Sequence, residues 1–566
     1  MMQTFQDYTY ERPNLNEVKE TFYTLLDHFK QAETAADQTA AMEEINILRN
    51  RMSTLSNLVA IRASIDTNDT FYQAERDFFD QLEPELNELV TAYYRALLDS
   101  PFRTELEQAW GTQLFDIAEY EIKAFSKEII PLLQKENKLV SDYGKLVASA
   151  QVDFDGDTYT LAQLAPFAQS EDRSIRKKAV EASAGFFEQH SDTFDDIYDQ
   201  LVKLRHNIAV KLGYKNFVEL GYIRMMRVDY DAKMVEAFRK QVRESIVPLA
   251  TKLFERQANR IDVDTLKYYD ESFKFKSGNA KPKGTPEWII ENGLKMYEEL
   301  SPETNEFFHF MLERNLMDLE AKKGKEAGGY CTFIADYASP FIFSNFNGTS
   351  GDIDVLTHEA GHAFQCYQSR NIGIPEYVFP TLESAEIHSM SMEFFTWPWM
   401  ELFFKEDADK YKFSHLADAL LFLPYGVAVD EFQHLIYENP EWTPDDRKQA
   451  WKQLENVYLP HRNYDGNPYL ESGNLWKRQS HIYGAPFYYI DYTLAQICAL
   501  QFWTKLQDDH EQAWKDYLHL CGLGGSRSFL ELVEAANLQS PFAEGTVDSV
   551  LESIETWLDS VDDKQL

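Results

Sequence analysis

Apolar residues return at the helical period along most of this chain, and that regularity constrains its fold more than any other feature. In "AMEEINILRNRMSTLSNLVAIRASID", Ile45, Ile47, Leu48, Met52, Leu55 and Leu58 recur near the spacing that lines one side of a helix. "DTNDTFYQAERDFFDQLEPELNELV" then starts a second helix with Asn68 or Asp69 as N-cap. Gly and Pro are sparse and scattered, so little interrupts these runs. A mainly α-helical protein follows. At 566 residues it is too long for one simple core, which predicts at least two domains or one large two-lobed body. No repeat at solenoid periods is present.

Two stretches break the helical texture. "VDFDGDTYT" reads as two short strands around a tight turn at Asp155-Gly156. It is no calcium loop, because Thr158 and Leu164 stand where such a loop needs Gly and Glu. Helical text then resumes and runs to about Ala321. The second break lies in "KGKEAGGYCTFIADYASPFIFSNFNGTSGDIDVLTHEAGHAF", where "YCTFIADY" and "PFIFSNF" are strand-like. A turn at Asn347-Gly348 leads into a helix capped by Ser350 or Asp352. A small sheet therefore directly precedes "THEAGHAF".

In that helix His358 and His362 are four residues apart, so they share a face and can share one metal ion. Glu359 lies beside them, able to reach a water at the metal without being a ligand, which is the arrangement of metal-assisted hydrolysis. A third ligand must come from another element. Cys366 continues the same face but lies about 12 Å along the axis from His358, at ~1.5 Å per residue. The helix read in "TLESAEIHSMSMEFFTWPWMELFF" offers Glu383, Glu386, His388 and Glu393, among which periodicity does not choose.

The net charge of −38 would repel nucleic-acid backbones and anionic membranes, so no nucleic-acid or membrane partner is expected. No stretch approaches the ~18 apolar residues of a membrane span, and the N-terminus lacks a basic start and an apolar run. Cys331, Cys366, Cys498 and Cys521 form no Cys-x-x-Cys pair and are spread over a large chain. Together these features predict a reducing, cytoplasmic location.

With these residues in hand, the sequence resembles the thimet-oligopeptidase-like zinc metallopeptidases, most closely the oligoendopeptidase F and Pz-peptidase branch. In that family the two-histidine helix is followed about 25 residues later by a Glu ligand in the context Glu-x-x-Ser-x-x-x-Glu. "EIHSMSME" matches it with Glu386, Ser389 and Glu393, whereas a frame starting at Glu383 does not. The resemblance implies one zinc ion held by His358, His362 and Glu386, with Glu359 as general base. Glu393, two turns beyond Glu386, would accept a hydrogen bond from a ligating imidazole. His388 and His461 are read as ordinary histidines.

Further implications attach to the flanks. "PFIFSNFNGT" looks like the strand whose edge receives the substrate peptide, with "KEAGGY" as the nearby glycine-rich segment. "SHIYGAPFYYIDYTLAQ" resembles the His- and Tyr-rich segment that donates hydrogen bonds to the oxyanion. His481 and Tyr492 fit best there, and Tyr488 and Tyr489 compete for a further position, at four and three residues from Tyr492. The resemblance also implies a two-lobed helical metallopeptidase with a deep substrate channel and the small sheet beside the zinc helix. The division is drawn at residues 1–195 for an N-terminal helical domain and 196–566 for the catalytic domain. The activity so implied is endopeptidase hydrolysis of short oligopeptides. A metallocarboxypeptidase on a related scaffold and a non-catalytic zinc-containing peptide-binding protein are the rivals.

Overall fold

The computed structural model describes residues 3–566 and is mainly α-helical, with two small sheets. After a helix at Leu15–Gln31 come two longer ones, α1 (Ala35–Ile65) and α2 (Thr70–Leu98). Thr34 caps α1 by accepting from Asp37 N–H, and Asp69 caps α2 by accepting from Phe71 and Tyr72 N–H. Ile45, Met52, Leu55 and Leu58 are buried as their spacing predicts, whereas Ile47 is 62 % exposed and lies off that face. Downstream, α3 (Phe217–Arg224) is a short helix wedged into the main core. Residues 195 and 196 fall inside the helix Ser191–Lys211, and the largest buried cluster draws on residues from both sides of that point.

β1 (Val152–Phe154) and β2 (Asp157–Tyr159) form the hairpin read around Asp155-Gly156. Both turn residues take positive φ, 51° and 93°. The second sheet has the order β3-β5-β4, with β3 (Met317–Glu320), β4 (Tyr330–Ile334) and β5 (Ser339–Phe346). β5 is antiparallel to β4 and parallel to β3, so it is the central strand. Two expectations are corrected here. "MDLE" (β3) lies in text read as helical, because four residues are too few to display a period. Its pairing removes the free edge expected for Phe341–Phe346, and the edge on the site's side is β4.

Four more helices frame the site: α4 (Gly351–Ser369), α5 (Leu382–Phe395), α6 (Ala408–Glu438) and α7 (Tyr489–Asp508). β5 runs into α4 through the Asn347-Gly348 turn, with Gly348 at φ +86°. Ser350 precedes α4 without a side-chain cap. Asp352 instead accepts from the N–H groups of Asn347 and Gly348, at 2.8 and 2.9 Å, and ties the turn to the helix start. No helix among the described residues is long and apolar enough to cross a membrane.

Candidate metal centre

α4 and α5 cross at Gly361, where a Cβ would stand 2.6 Å from Ser389 Cα and 2.7 Å from the His388 carbonyl oxygen. Only a residue without a side chain permits that approach. It brings Glu386 across from the two histidines, whose rings are 5.0 Å apart. Glu386 Oε2 lies 3.1 Å from His358 Nε2 and 3.4 Å from His362 Nε2. The three candidate ligand atoms lie within 4.8 Å of one another, the one such group among the described residues. Two imidazoles and one carboxylate are a donor set suited to zinc, and three protein ligands leave a coordination position open. Ser389 Oγ donates to Glu386 Oε2 at 2.8 Å, which fixes the carboxylate's orientation.

The outer partners set the tautomers. Trp397 Nε1 donates to His415 Nδ1 at 3.2 Å, and since an indole only donates, His415 Nδ1 must accept. His415 Nε2 is then free to donate to Glu393 Oε2 at 2.7 Å. The other oxygen of Glu393 accepts from His358 Nδ1, also at 2.7 Å, which leaves Nε2 of His358 facing Glu386. Burial alone would depress His358, but its hydrogen bonds to Glu386 and Glu393 hold it well above the usual imidazole range. Glu386 is moved the other way: burial raises it, and the neighbouring His362 and His358 bring it well below the usual carboxylate range. His415, on α6, was not found by sequence reasoning, because a lone histidine in "KFSHLADALLF" carries no local signal and meets Glu393 only through tertiary packing. His388 is fully buried with Nδ1 2.8 Å from the Ser384 carbonyl, and His461 stacks on Phe254 at 3.6 Å.

Glu359 is buried on the β-sheet side of α4, and its Oε2 has no hydrogen-bond partner among the described residues. Desolvation raises its pKa, outweighing the lowering effect of the neighbouring His358 and His362. Gly329 makes room for it: a Cβ there would stand 3.2 Å from Glu359 Oε1 and 3.1 Å from Val355 Cγ1. The neighbouring Gly328 has φ +95°, a conformation that side chains disfavour.

Opposite the candidate ligands stands the segment from Ser480 to Tyr492. Tyr488, just before α7, donates from its hydroxyl to Glu386 Oε1. Tyr492 stacks on Tyr488 at 4.9 Å. Gln479 Nε2 donates to His481 Nδ1 at 2.7 Å, so His481 Nε2 carries the proton and donates to the Tyr492 oxygen at 3.0 Å. The Tyr492 hydroxyl proton is left to point elsewhere. Desolvation lowers His481 to about 4, which keeps it neutral near pH 7. Burial also lifts both tyrosines well above their ordinary range, so both remain donors. Tyr489 faces differently, packing edge-on against Phe422 and Tyr425 of α6 at 5.9 and 5.7 Å. Tyr489 also packs its ring against His481 at 5.1 Å, but the hydroxyl hydrogen bonds to Glu386 and His481 are made by Tyr488 and Tyr492.

A cavity of about 660 Å³ opens along β4, lined by Cys331, Thr332 and Phe333 of the strand and by α1 and α2 residues including Met52 and Leu86. Phe379, another lining residue, has its ring 6.0 Å from that of His362. A second cavity of about 490 Å³ shares Ser56, Glu83 and Asn87 with the first and extends to Arg224 and Gly484.

Residues 167–551 match the sequence profile described as Peptidase family M3, and residues 5–125 match that described as Peptidase M3 N-terminal domain. The chain is 22 % identical to Oligopeptidase PepF of Bacillus subtilis (strain 168), over 97 % of this chain and 83 % of that one. A solved structure of PZ peptidase A with an inhibitor is 63 % identical, with a TM-score of 0.98 over 99 % of this chain and 100 % of that one. Oligoendopeptidase-F from Enterococcus faecium, at 16 % identity, shares the fold with a TM-score of 0.61 over 97 % and 99 % of the two chains.

Proposed function

Because this chain belongs to peptidase family M3, we propose that it is a zinc-dependent endopeptidase cutting internal bonds of short oligopeptides, its zinc held by His358, His362 and Glu386. The observation that carries the reading is the meeting of those three side chains beside a buried Glu359 that has no other hydrogen-bonding task. When bound, zinc would supply a Lewis acid that activates water and polarises the scissile carbonyl. Glu359 takes the proton from the attacking water and returns it to the leaving amine, its raised pKa bringing it nearer the working pH. Tyr488 and Tyr492 donate to the oxygen on which charge develops, and His481 orients Tyr492 by donating to its oxygen. Glu393 and His415 keep Nδ1 of His358 as the hydrogen-bond donor, so that Nε2 is the nitrogen offered to a metal.

An extended peptide is proposed to pair with the free edge of β4 and to fill the cavity beside it. A cleft of that size is proposed to tolerate many peptide sequences and to exclude a folded domain from Glu359. Native globular proteins and peptide digests of the same proteins, incubated with the enzyme with and without a chelator, test this. Mass spectrometry should find internal, chelator-sensitive cuts in peptides of roughly 5 to 20 residues, the length that threads such a cleft at ~3.3 Å per residue, and none in the native proteins. Trimming from the chain ends would favour a carboxypeptidase instead, and equal cleavage of native proteins would refute the channel.

A further inference from the structure

We infer that Arg227, remote in sequence from every residue of the site, is a positioning residue that holds Tyr488 and Tyr492 in register with Glu386. The inference rests on the proposed role of these tyrosines as donors to the reacting carbonyl oxygen. Tyr488 is presented by an irregular turn, since Phe487 has φ +69°, a region that residues with side chains rarely occupy. Such a backbone persists only where its surroundings over-determine it. Here they do. The Phe487 N–H donates to Gln433 Oε1 of α6 at 2.9 Å, and its carbonyl accepts from Arg227 Nη2 at 2.6 Å. The same Nη2 donates to Asp491 Oδ1 at 2.8 Å, on the residue directly before Tyr492. One guanidinium therefore grips both the turn before Tyr488 and the first turn of α7.

The grip is itself rigid. Arg227 and Asp491 are both fully buried, and the guanidinium lies over the Tyr222 ring at 4.4 Å. Arg227 leaves α3 through Met226, also at positive φ, and its N–H donates to the Tyr222 carbonyl at 3.2 Å. The ring of Phe487 presses on α3 where a Cβ at Gly221 would stand 2.5 Å from it. The turn is thus held from the α3 side and from α6 through Nη2 of Arg227 and Oε1 of Gln433, while Nε and Nη1 of Arg227 have no hydrogen-bond partner among the described residues. A buried pair on this scale is weak evidence of a stabilising role, because apolar replacements often serve stability equally well. Orientation of a catalytic side chain does require a fixed geometry, within a fraction of an ångström.

The test is a double-mutant cycle in the full-length enzyme. Arg227→Met is combined with Asp491→Asn, so that neither charge is left buried alone, and Tyr488→Phe is made alone and on top of the pair. The pair variant should unfold cooperatively and carry one zinc per chain, as wild type does. Its kcat should fall ~10²-fold, with KM within about threefold, because the donors act mainly on the transition state. Binding of a phosphinic peptide, whose tetrahedral centre engages the same donors, should weaken in parallel. Adding Tyr488→Phe should cost no more than about threefold further, as expected of residues that act as a unit. A pair variant with near-wild-type kcat, or losses that multiply in full, would overturn the inference. If the pair variant does not fold, Gln433→Leu, which frees the Phe487 N–H, must lower kcat about tenfold at constant KM, and an unchanged kcat overturns the inference as well. Tyr488→Phe alone separates the two levels: if it leaves kcat intact, the oxyanion reading falls; if it lowers kcat while the Arg227 variants do not, only the positioning role falls.

Discussion

The proposed ligand wall, α4 with α5, and the proposed donor wall, from Ser480 to Tyr492, face each other across the site but hold their residues by different means. On α4 the spacing of His358 and His362 is a property of any helix, and Ser389 and Glu393 extend the same regularity along α5 from Glu386. On the donor wall the chain leaves regular structure at Phe487, and Tyr488 reaches Glu386 because Arg227 and Gln433 hold that turn from elements far away in sequence. Local periodicity builds the first wall and tertiary contacts build the second. Loss of a ligand from the first should therefore appear in metal content, and damage to the second in catalytic rate with the metal retained.

The largest effect is expected on the ligand wall. Glu386→Ala removes one of three donors and leaves His358 and His362 facing each other, so zinc should be lost on dialysis together with hydrolysis. A full zinc complement in that variant, read by elemental analysis, would move the third ligand elsewhere, with Glu383 next in line. On the donor wall, Tyr488→Phe should keep its zinc and lose ~10² in kcat. Tyr489→Phe, directed at α6, should change kcat by no more than about threefold. Equal effects at the two positions would erase the distinction between their orientations.

Smaller effects probe the supports of each wall. His415→Ala leaves one oxygen of Glu393 without its donor, which should weaken zinc affinity by about 10- to 100-fold in a competition with a chelating dye. An unchanged affinity would make His415 a packing residue. Gly361→Ala forces α4 and α5 apart where a Cβ would stand 2.6 Å from Ser389 Cα. It should destabilise the protein by about 1–3 kcal/mol in denaturant unfolding. It should also lower zinc affinity, since Glu386 rides on the displaced helix. Loss of stability without loss of zinc affinity would show that α5 repacks with its ligand in place.

The same contrast explains what the sequence made legible. Helical class, the hairpin at Asp155-Gly156 and the sheet before α4 follow from periodicity and turn chemistry that act over a few residues. His358, Glu359 and His362 follow from one helical face. Glu386 needed the family resemblance, because Glu383, Glu386, His388 and Glu393 are equivalent in type and only packing at Gly361 selects which faces α4. The choice between Tyr488 and Tyr489 was open for a related reason: α7 begins at Tyr489, so the helical spacing used to compare them does not extend to Tyr488. β3 was hidden by its length, and with it the central position of β5. His415, Gly329 and Arg227 are each set by a contact between distant elements, which no window along the chain contains.

The central claim is that Glu359 acts as the base beside a metal it does not bind, and Glu359→Gln tests it most directly. The substitution keeps the shape and removes the basicity of a side chain whose Oε2 has no partner among the described residues. Zinc content and the rate of cleavage of an internally quenched peptide, measured on the same preparation, decide it. The account predicts about one zinc per chain and a rate lowered by at least ~10³. A rate within roughly tenfold of wild type would contradict it by removing Glu359 as the base, and a variant that loses its zinc would contradict it by making Glu359 a ligand.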